Sequence, residues 1–172
     1  MNISPLAVVN PKAQIGENTI VDPFAVIEGD VIIGDNCRIF SHATILDGAR
    51  IGNNCNIFPC AVIAGIPQDL KFAGETTTAE IGDYTTIREC ATVNRGTASK
   101  GRTIIGQHCL IMAYSHVAHD CIFKNYVIIG NASQIAGEVE IDDYAIISGG
   151  TLIHQFSRIS QHVMVQGGSR IG

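Results

Sequence analysis

A chain of 172 residues is one domain's worth, long enough to bury a real core and short for two. Charged residues make up 16 % of it and apolar residues 46 %, a balance that excludes a disordered chain. A net charge of −5 with no basic run longer than a pair leaves no electrostatic footprint for nucleic acid or an anionic membrane surface, and the longest charge-free stretches fall short of the ~20 apolar residues of a membrane span.

Met1 is followed by neither a basic nor an apolar segment, so no export signal is read at the start and a cytoplasmic location is expected. From Ile3 onward a large aliphatic residue recurs every six positions: Ile3, Val9, Ile15, Val21, Ile27 and on through Ile63. The row resumes in phase at Ile81, Ile87 and Val93, then runs from Ile105 to Ile171, failing only at Asp69, Glu75 and Ser99. Two residues before each member lies a second row, from Ala7, Ala13, Thr19 and Ala25 to Ser169, made only of Ala, Ser, Thr, Val, Cys and Pro. On a helix a step of six residues turns about 600°, so such a row defines no apolar face. On a strand residues two apart share a side, and both rows point inward.

Short strands repeated at this period without hairpin turns coil into a parallel β-solenoid with stacked Ile as its continuous core. The pairs Ile15-Gly16, Ile33-Gly34 and Ile51-Gly52 are eighteen residues apart. That spacing gives three hexads per coil, a triangular cross-section and about nine coils in one all-β domain over residues 1–172. Asp69 and Glu75 put two carboxylates on the inward row. Burying them unpaired costs several kcal/mol each, so residues 69–80 are predicted to leave the wall as a protruding loop. Ala98–Arg102, around Ser99, is a second and shorter departure. The chain stops at Gly172 within a hexad and without a polar cap, which predicts a truncated form or a covering element over the last coil.

Cys37, Cys55, Cys109 and Cys121 fall on the small inward row and read as core filler. No C-x-x-C pair supports a thiolate zinc site. None of the six His occupies either inward row; His42, His108 and His162 fall at corners and are expected to be solvated. His116 and His119 lie together in Ser-His-Val-Ala-His-Asp. The unbroken phase after Ile105 stacks Gly137 and then Gln155 on His119, with His154 alongside. A missing side chain at Gly137 bares a backbone N–H beside an imidazole, as in an oxyanion site. A neutral imidazole with a pKa of about 6.5 suits abstraction of a hydroxyl proton, and the adjacent Asp120 is placed to orient it. The flat outside of a solenoid makes no pocket unaided, so a second chain or the Asp69 loop must wall it. Two other functions stay open on these residues. One is a zinc lyase of the γ-carbonic-anhydrase type, for which His116 and His119 supply two ligands and no third His stacks within reach. The other is a catalytically idle scaffold.

Six segments carry a closer likeness: Gly65-Ile66-Pro67-Gln68-Asp69-Leu70-Lys71, Ile87-Arg88-Glu89, Asn94-Arg95-Gly96-Thr97, His116-Val117-Ala118-His119-Asp120-Cys121, His154-Gln155-Phe156 and His162-Val163-Met164-Val165. Through them the whole chain resembles the UDP-N-acetylglucosamine acyltransferase family of hexapeptide-repeat proteins. The resemblance implies a left-handed coil. It further implies transfer of a 3-hydroxyacyl group from acyl carrier protein to the glucosamine 3-hydroxyl of UDP-N-acetylglucosamine, an early step of lipid A synthesis. The implied assembly is a homotrimer with sites between subunits, using no metal and no cofactor. His119 is implied to be the general base, Asp120 its orienting carboxylate and the Gly137 N–H the oxyanion donor. His116, His154 and Gln155 would contact the sugar nucleotide or acyl chain, Gln68, Asp69 and Lys71 would reach in from the loop, and Gly167 would leave room at the far end of an acyl groove. The sequence departs from the family at Glu138 and Asn94, where the family carries histidines, and it ends before the family's further coils and C-terminal helical region.

Overall fold

Each hexad contributes one short strand, and each strand lies against the strand eighteen residues later: Val21 on Ile39, Ile39 on Ile57, and further along Ile111 on Ile129 and Ile129 on Ile147. A computed structural model describes residues 2–172. Among these, 26 strands, most of them two residues long, form three parallel sheets of nine, nine and eight strands. The first wall runs from Asn2–Ile3 to Met164–Val165, the second from Val8–Val9 to Arg170–Ile171 and the third from Gln14–Ile15 to Arg158–Ile159. The product is the expected triangular, left-handed parallel β-helix.

Both rows line the interior. From Val21 to Val165 every large-row residue outside the two loops is buried, as are Ala25, Val31, Cys37, Ala43 and the small-row residues of the walls as far as Thr151. Each buried Ile or Val contributes about 1.5–3 kcal/mol, which outweighs the weak intrinsic preference of two-residue strands. Cys37, Cys55, Cys109 and Cys121 are buried here as filler. Burial pushes the Cys109 thiol up to about 11 and that of Cys121 up to about 12, so neither supplies a thiolate nucleophile at neutral pH.

The residue that turns most of the corners adopts the left-handed region, with φ of 56° at Asn18, 55° at Asn36 and 57° at Asn54. His42, His108 and His162 share this conformation and are exposed, as the sequence suggests, but each also stacks on a neighbouring ring. Tyr84, His108, Tyr126, Tyr144 and His162 form one continuous stack at the corner between the third and first walls, with ring centroids 4.7–5.0 Å apart. That distance is the strand spacing itself, so the coil sets the stacking. His42 stacks on Phe24 at 5.3 Å.

The position just before the corner residue holds Pro5, Pro11, Pro23 and Pro59. Outside the two loops and the strand end at Gly65, no described residue at this position donates its N–H to a backbone carbonyl, so a proline there forfeits nothing. At the corner between the third and first walls, side chains take up these donors: Asp35 accepts from the Glu17 N–H at 2.7 Å and Asn53 from the Asp35 N–H at 2.8 Å.

The protruding loop lies three residues earlier than the sequence suggests. The strand Val62–Gly65 leaves the second wall, and Thr78–Ile81 already forms part of the third, with Ala79 paired to Ala49 and Thr78 to Arg102. The loop therefore covers residues 66–77 rather than 69–80. Ala79 restarts the small inward row and Glu80 points outward toward Arg102, so only Asp69 and Glu75 had to leave the wall. The second departure is a strap of residues 95–101 between the strands Thr92–Asn94 and Arg102–Ile105.

Candidate active site

The corner between the second and third walls, where the strap crosses it, holds a buried polar cluster of His119, Asp120 and Thr97. His116 pairs with Gln134 and Gln134 with Leu152 along the second wall. The same register stacks His119, Gly137 and Gln155: the Glu138 N–H donates to the His119 carbonyl at 3.0 Å and the Phe156 N–H to the Gly137 carbonyl at 3.3 Å. A Cβ placed on Gly137 would stand 2.6 Å from both Cε1 and Nε2 of His119. The imidazole thus lies flat against the bare glycine. Gly137 occupies the hexad position of the prolines, and no described acceptor takes its N–H.

His119 is only 7 % exposed although it points away from the core; the strap, the loop and the next coil cover it. Its Nδ1 lies 2.8 Å from Asp120 Oδ2. An ionised carboxylate only accepts, so Nδ1 carries the proton and Nε2 keeps its lone pair. Asp69 Oδ2, from the loop, stands 3.8 Å from that Nε2. Asp120 is fully buried. Its carboxylate accepts the Thr97 hydroxyl at 2.6 Å, the Thr97 N–H at 3.0 Å and the Lys100 N–H at 3.1 Å. Burial opposes its ionisation, but the bonds from Thr97, His119 and Lys100 outweigh that and hold the carboxyl below the usual carboxylate range.

The groove around this cluster has a volume of about 1610 Å³. Its floor is the outer face of the second wall, where Ala118 and Ala136 leave a trough between the His119 column and the His116, Gln134 and Leu152 column. Gln68, Asp69 and Lys71 of the loop overhang it, and His154 and Gln155 line its upper part. The loop is held over the trough by the Asn94 side-chain amide, which donates to the Ile66 carbonyl at 3.3 Å, and by Arg95, whose guanidinium lies 5.5 Å from the centre of the Phe72 ring. Of the residues singled out from the sequence, Asp120 and Gly167 do not line the groove: Asp120 is fully buried behind His119, and Gly167 lies at the corner between the first and second walls, facing the Gly149 carbonyl. Among the described residues no three His, Cys, Asp or Glu side chains converge as metal ligands would.

Sequence reasoning missed the strap's part. Thr97 sits on the small row and reads as filler, and Lys100 carries no pattern. The failure of the row at Ser99 was the available signal, since it marks where the chain lifts off the wall to enclose Asp120.

His116 lies beside the cluster with Nδ1 2.7 Å from the Thr92 hydroxyl oxygen. Burial first, and then the charge of His119, pushes its pKa below the ordinary value. A depressed folded-state pKa means that the unfolded chain binds the extra proton more readily, so this contribution to stability is complete above about pH 6.5 and fades as pH falls toward the folded value. His116→Gln is expected to remove that dependence. Urea unfolding at pH 8 and pH 5.5 checks it: the stability of the wild type relative to the variant should be lower at the acid pH.

Comparison with known proteins bears on the whole chain. The model of the bacterial transferase hexapeptide family (six repeats) matches residues 12–45 and 30–65. An acyl-[acyl-carrier-protein]–UDP-N-acetylglucosamine O-acyltransferase of Alkalilimnicola ehrlichii is 54 % identical over 98 % of this chain and 66 % of the relative. The UDP-N-acetylglucosamine acyltransferase of Bacteroides fragilis superposes with a TM-score of 0.97 at 56 % identity, over 98 % of this chain and 66 % of that one. Its counterpart from Acinetobacter baumannii gives 0.98 at 38 % identity, over 100 % of this chain and 67 % of the other. The chain belongs to the UDP-N-acetylglucosamine acyltransferase family. It spans about two thirds of the length of these relatives, and its match to that of Verminephrobacter eiseniae covers 44 % of the relative.

Glu138 and Asn94 each hold a partner at the edge of the site. Glu138 Oε2 lies 3.4 Å from the Lys100 ammonium, which also reaches Glu140 at 3.3 Å. A strap residue thereby compensates the negative charge beside Gly137. Asn94 supplies the side-chain amide that ties down the loop.

Proposed function

We propose that the protein transfers a 3-hydroxyacyl group from an acyl carrier protein thioester to the 3-hydroxyl of UDP-N-acetylglucosamine, in the pathway to lipid A, as a homotrimer in which a neighbouring subunit walls the open side of the groove. One observation carries this reading: a buried imidazole, with its proton fixed on Nδ1 by Asp120, is packed flat on a glycine whose N–H is unclaimed. Base and oxyanion donor thus face one small volume, as acyl transfer requires. The relatives' names give the two substrates.

In this mechanism Nε2 of His119 takes the proton of the sugar 3-hydroxyl as its oxygen attacks the thioester carbonyl. The Gly137 N–H donates to the oxyanion of the tetrahedral intermediate. Collapse breaks the C–S bond, and the imidazolium returns its proton to the departing thiolate. Asp120 stabilises the imidazolium between these steps without giving up its charge. Asp69, near Nε2, and Gln68 and Lys71 orient the sugar nucleotide, while His116, His154 and Gln155 contact it or the acyl chain lying along the trough. Incubating the chain with UDP-N-acetylglucosamine and 3-hydroxyacyl carrier protein should yield the O-acylated nucleotide sugar by mass spectrometry. Its absence, with a longer relative active in parallel, counts against the reading.

A further inference from the structure

We infer that Thr97 is a positioning residue for the proposed reaction: through its hydroxyl and its N–H it locks the Asp120 carboxylate in the orientation that keeps the His119 proton on Nδ1. The inference rests on the acyl-transfer reading for its kinetic consequence, but its physical content concerns the free protein.

The strap is built around this contact. Its first turn requires Gly96, because a Cβ there would run into the backbone of Arg102. Thr97 follows with its side chain buried and its Oγ1 2.6 Å from Asp120 Oδ2. That same oxygen is the partner of His119 Nδ1 at 2.8 Å, while the Thr97 and Lys100 N–H groups engage Oδ1 at 3.0 and 3.1 Å. The corner backbone is tied as well, since the Asp120 N–H donates to the Thr103 hydroxyl at 2.9 Å. Both carboxylate oxygens are therefore committed before any substrate arrives. A carboxyl group fixed at two points cannot rotate away from Nδ1, and the alternative imidazole tautomer, with the proton on Nε2, would leave Nδ1 and Oδ2 as two acceptors facing each other. Only the Nδ1–H tautomer has a lone pair for a substrate hydroxyl. Thr97 thus acts on the base through Asp120 without touching substrate. Thr97 Oγ1 also accepts the Ser99 N–H at 3.2 Å, which closes the strap on itself and fixes the direction of the hydroxyl proton toward Asp120.

The test uses Thr97→Val, which keeps the shape and the backbone N–H but removes the hydroxyl, and Thr97→Ser, which restores it. In chain labelled with ¹⁵N-histidine, the nitrogen shifts of His119 near pH 8 should show a single Nδ1–H tautomer in the wild type and in Thr97→Ser. Thr97→Val should show a mixture. In the acyl-transfer assay Thr97→Val should lower kcat about 10- to 100-fold at unchanged KM, as loss of an orienting partner does, with recovery in Thr97→Ser. A purely packing role would lower the thermal midpoint of Thr97→Val while leaving its His119 tautomer and kcat as in the wild type, and that result overturns the inference. If Thr97→Val does not fold, Thr97→Ala is read in the same way. Because the nitrogen shifts need no substrate, a wild type that transfers no acyl group yet shows the tautomer change overturns the functional reading and supports the role of Thr97.

Discussion

Replacing His119 with alanine is expected to lower acyl-transfer turnover by about 10²–10⁴-fold, the usual worth of a positioned general base. The expectation follows from how completely this ring is committed. Its Nδ1 is taken by Asp120 at 2.8 Å, its face is against Gly137, and its remaining nitrogen, Nε2, is left to accept a proton in the groove. No neighbouring side chain can replace it. His116, the other imidazole beside the cluster, points its Nδ1 at Thr92 and its pKa is depressed, and Asp69, 3.8 Å from Nε2, offers a carboxylate in place of an imidazole. The fold should tolerate the change, because His119 lies outside the Ile stack that holds the coils together. Turnover measured with both substrates saturating, beside a circular dichroism melt, separates the two effects. A rate within a few-fold of wild type would return the protein to the idle-scaffold reading.

Gly137→Ala should be nearly as damaging to turnover and for a different reason. The substitution leaves the N–H in place. Its methyl would stand 2.6 Å from Cε1 and Nε2 and 3.1 Å from Nδ1 of His119, closer than atoms can approach, and the ring has nowhere to go while Nδ1 is bound to Asp120. The base must swing out of line, and a misplacement of about 1 Å can cost roughly 10²-fold. Overpacking at the ring should also destabilise the fold by about 1–3 kcal/mol. The diagnostic outcome is non-additivity: in a His119→Ala background the methyl meets empty space, so Gly137→Ala should then be close to neutral in urea unfolding. Equal destabilisation in both backgrounds would show that the glycine serves the backbone and not the imidazole.

The coil and the column of His119, Gly137 and Gln155 were both legible in the sequence, because a period of six with a coil of eighteen converts numbering directly into vertical position. Ile111 on Ile129 and His116 on Gln134 follow by addition. What numbering could not show lay where the chain leaves the wall. The loop's true limits depend on Ala79 and Glu80 rejoining the third sheet, a matter of pairing and not of pattern. Thr97 looked like one more small inward residue. Only the strap's path shows that its hydroxyl meets a carboxylate from the neighbouring coil, a contact between residues with no fixed numerical relation. The corner histidines were placed correctly but judged by composition, and their partners in the aromatic stack, Tyr84, Tyr126 and Tyr144, are visible only once coil is laid on coil.

The absence of a ladder bond to the residue before a corner has a consequence for how such a protein acquires chemistry. The prolines at this position show that the ladder uses no bond there, so a rung with another residue in that place, and no side chain to accept from it, carries a donor that can be recruited without weakening the ladder. Gly29 and Gln155 hold the equivalent place on other rungs. What distinguishes the rung of Gly137 is an imidazole one step away and a strap to steady it. On such a rung a new activity need invent only the proton acceptor, since a place for the negative charge is already part of the coil.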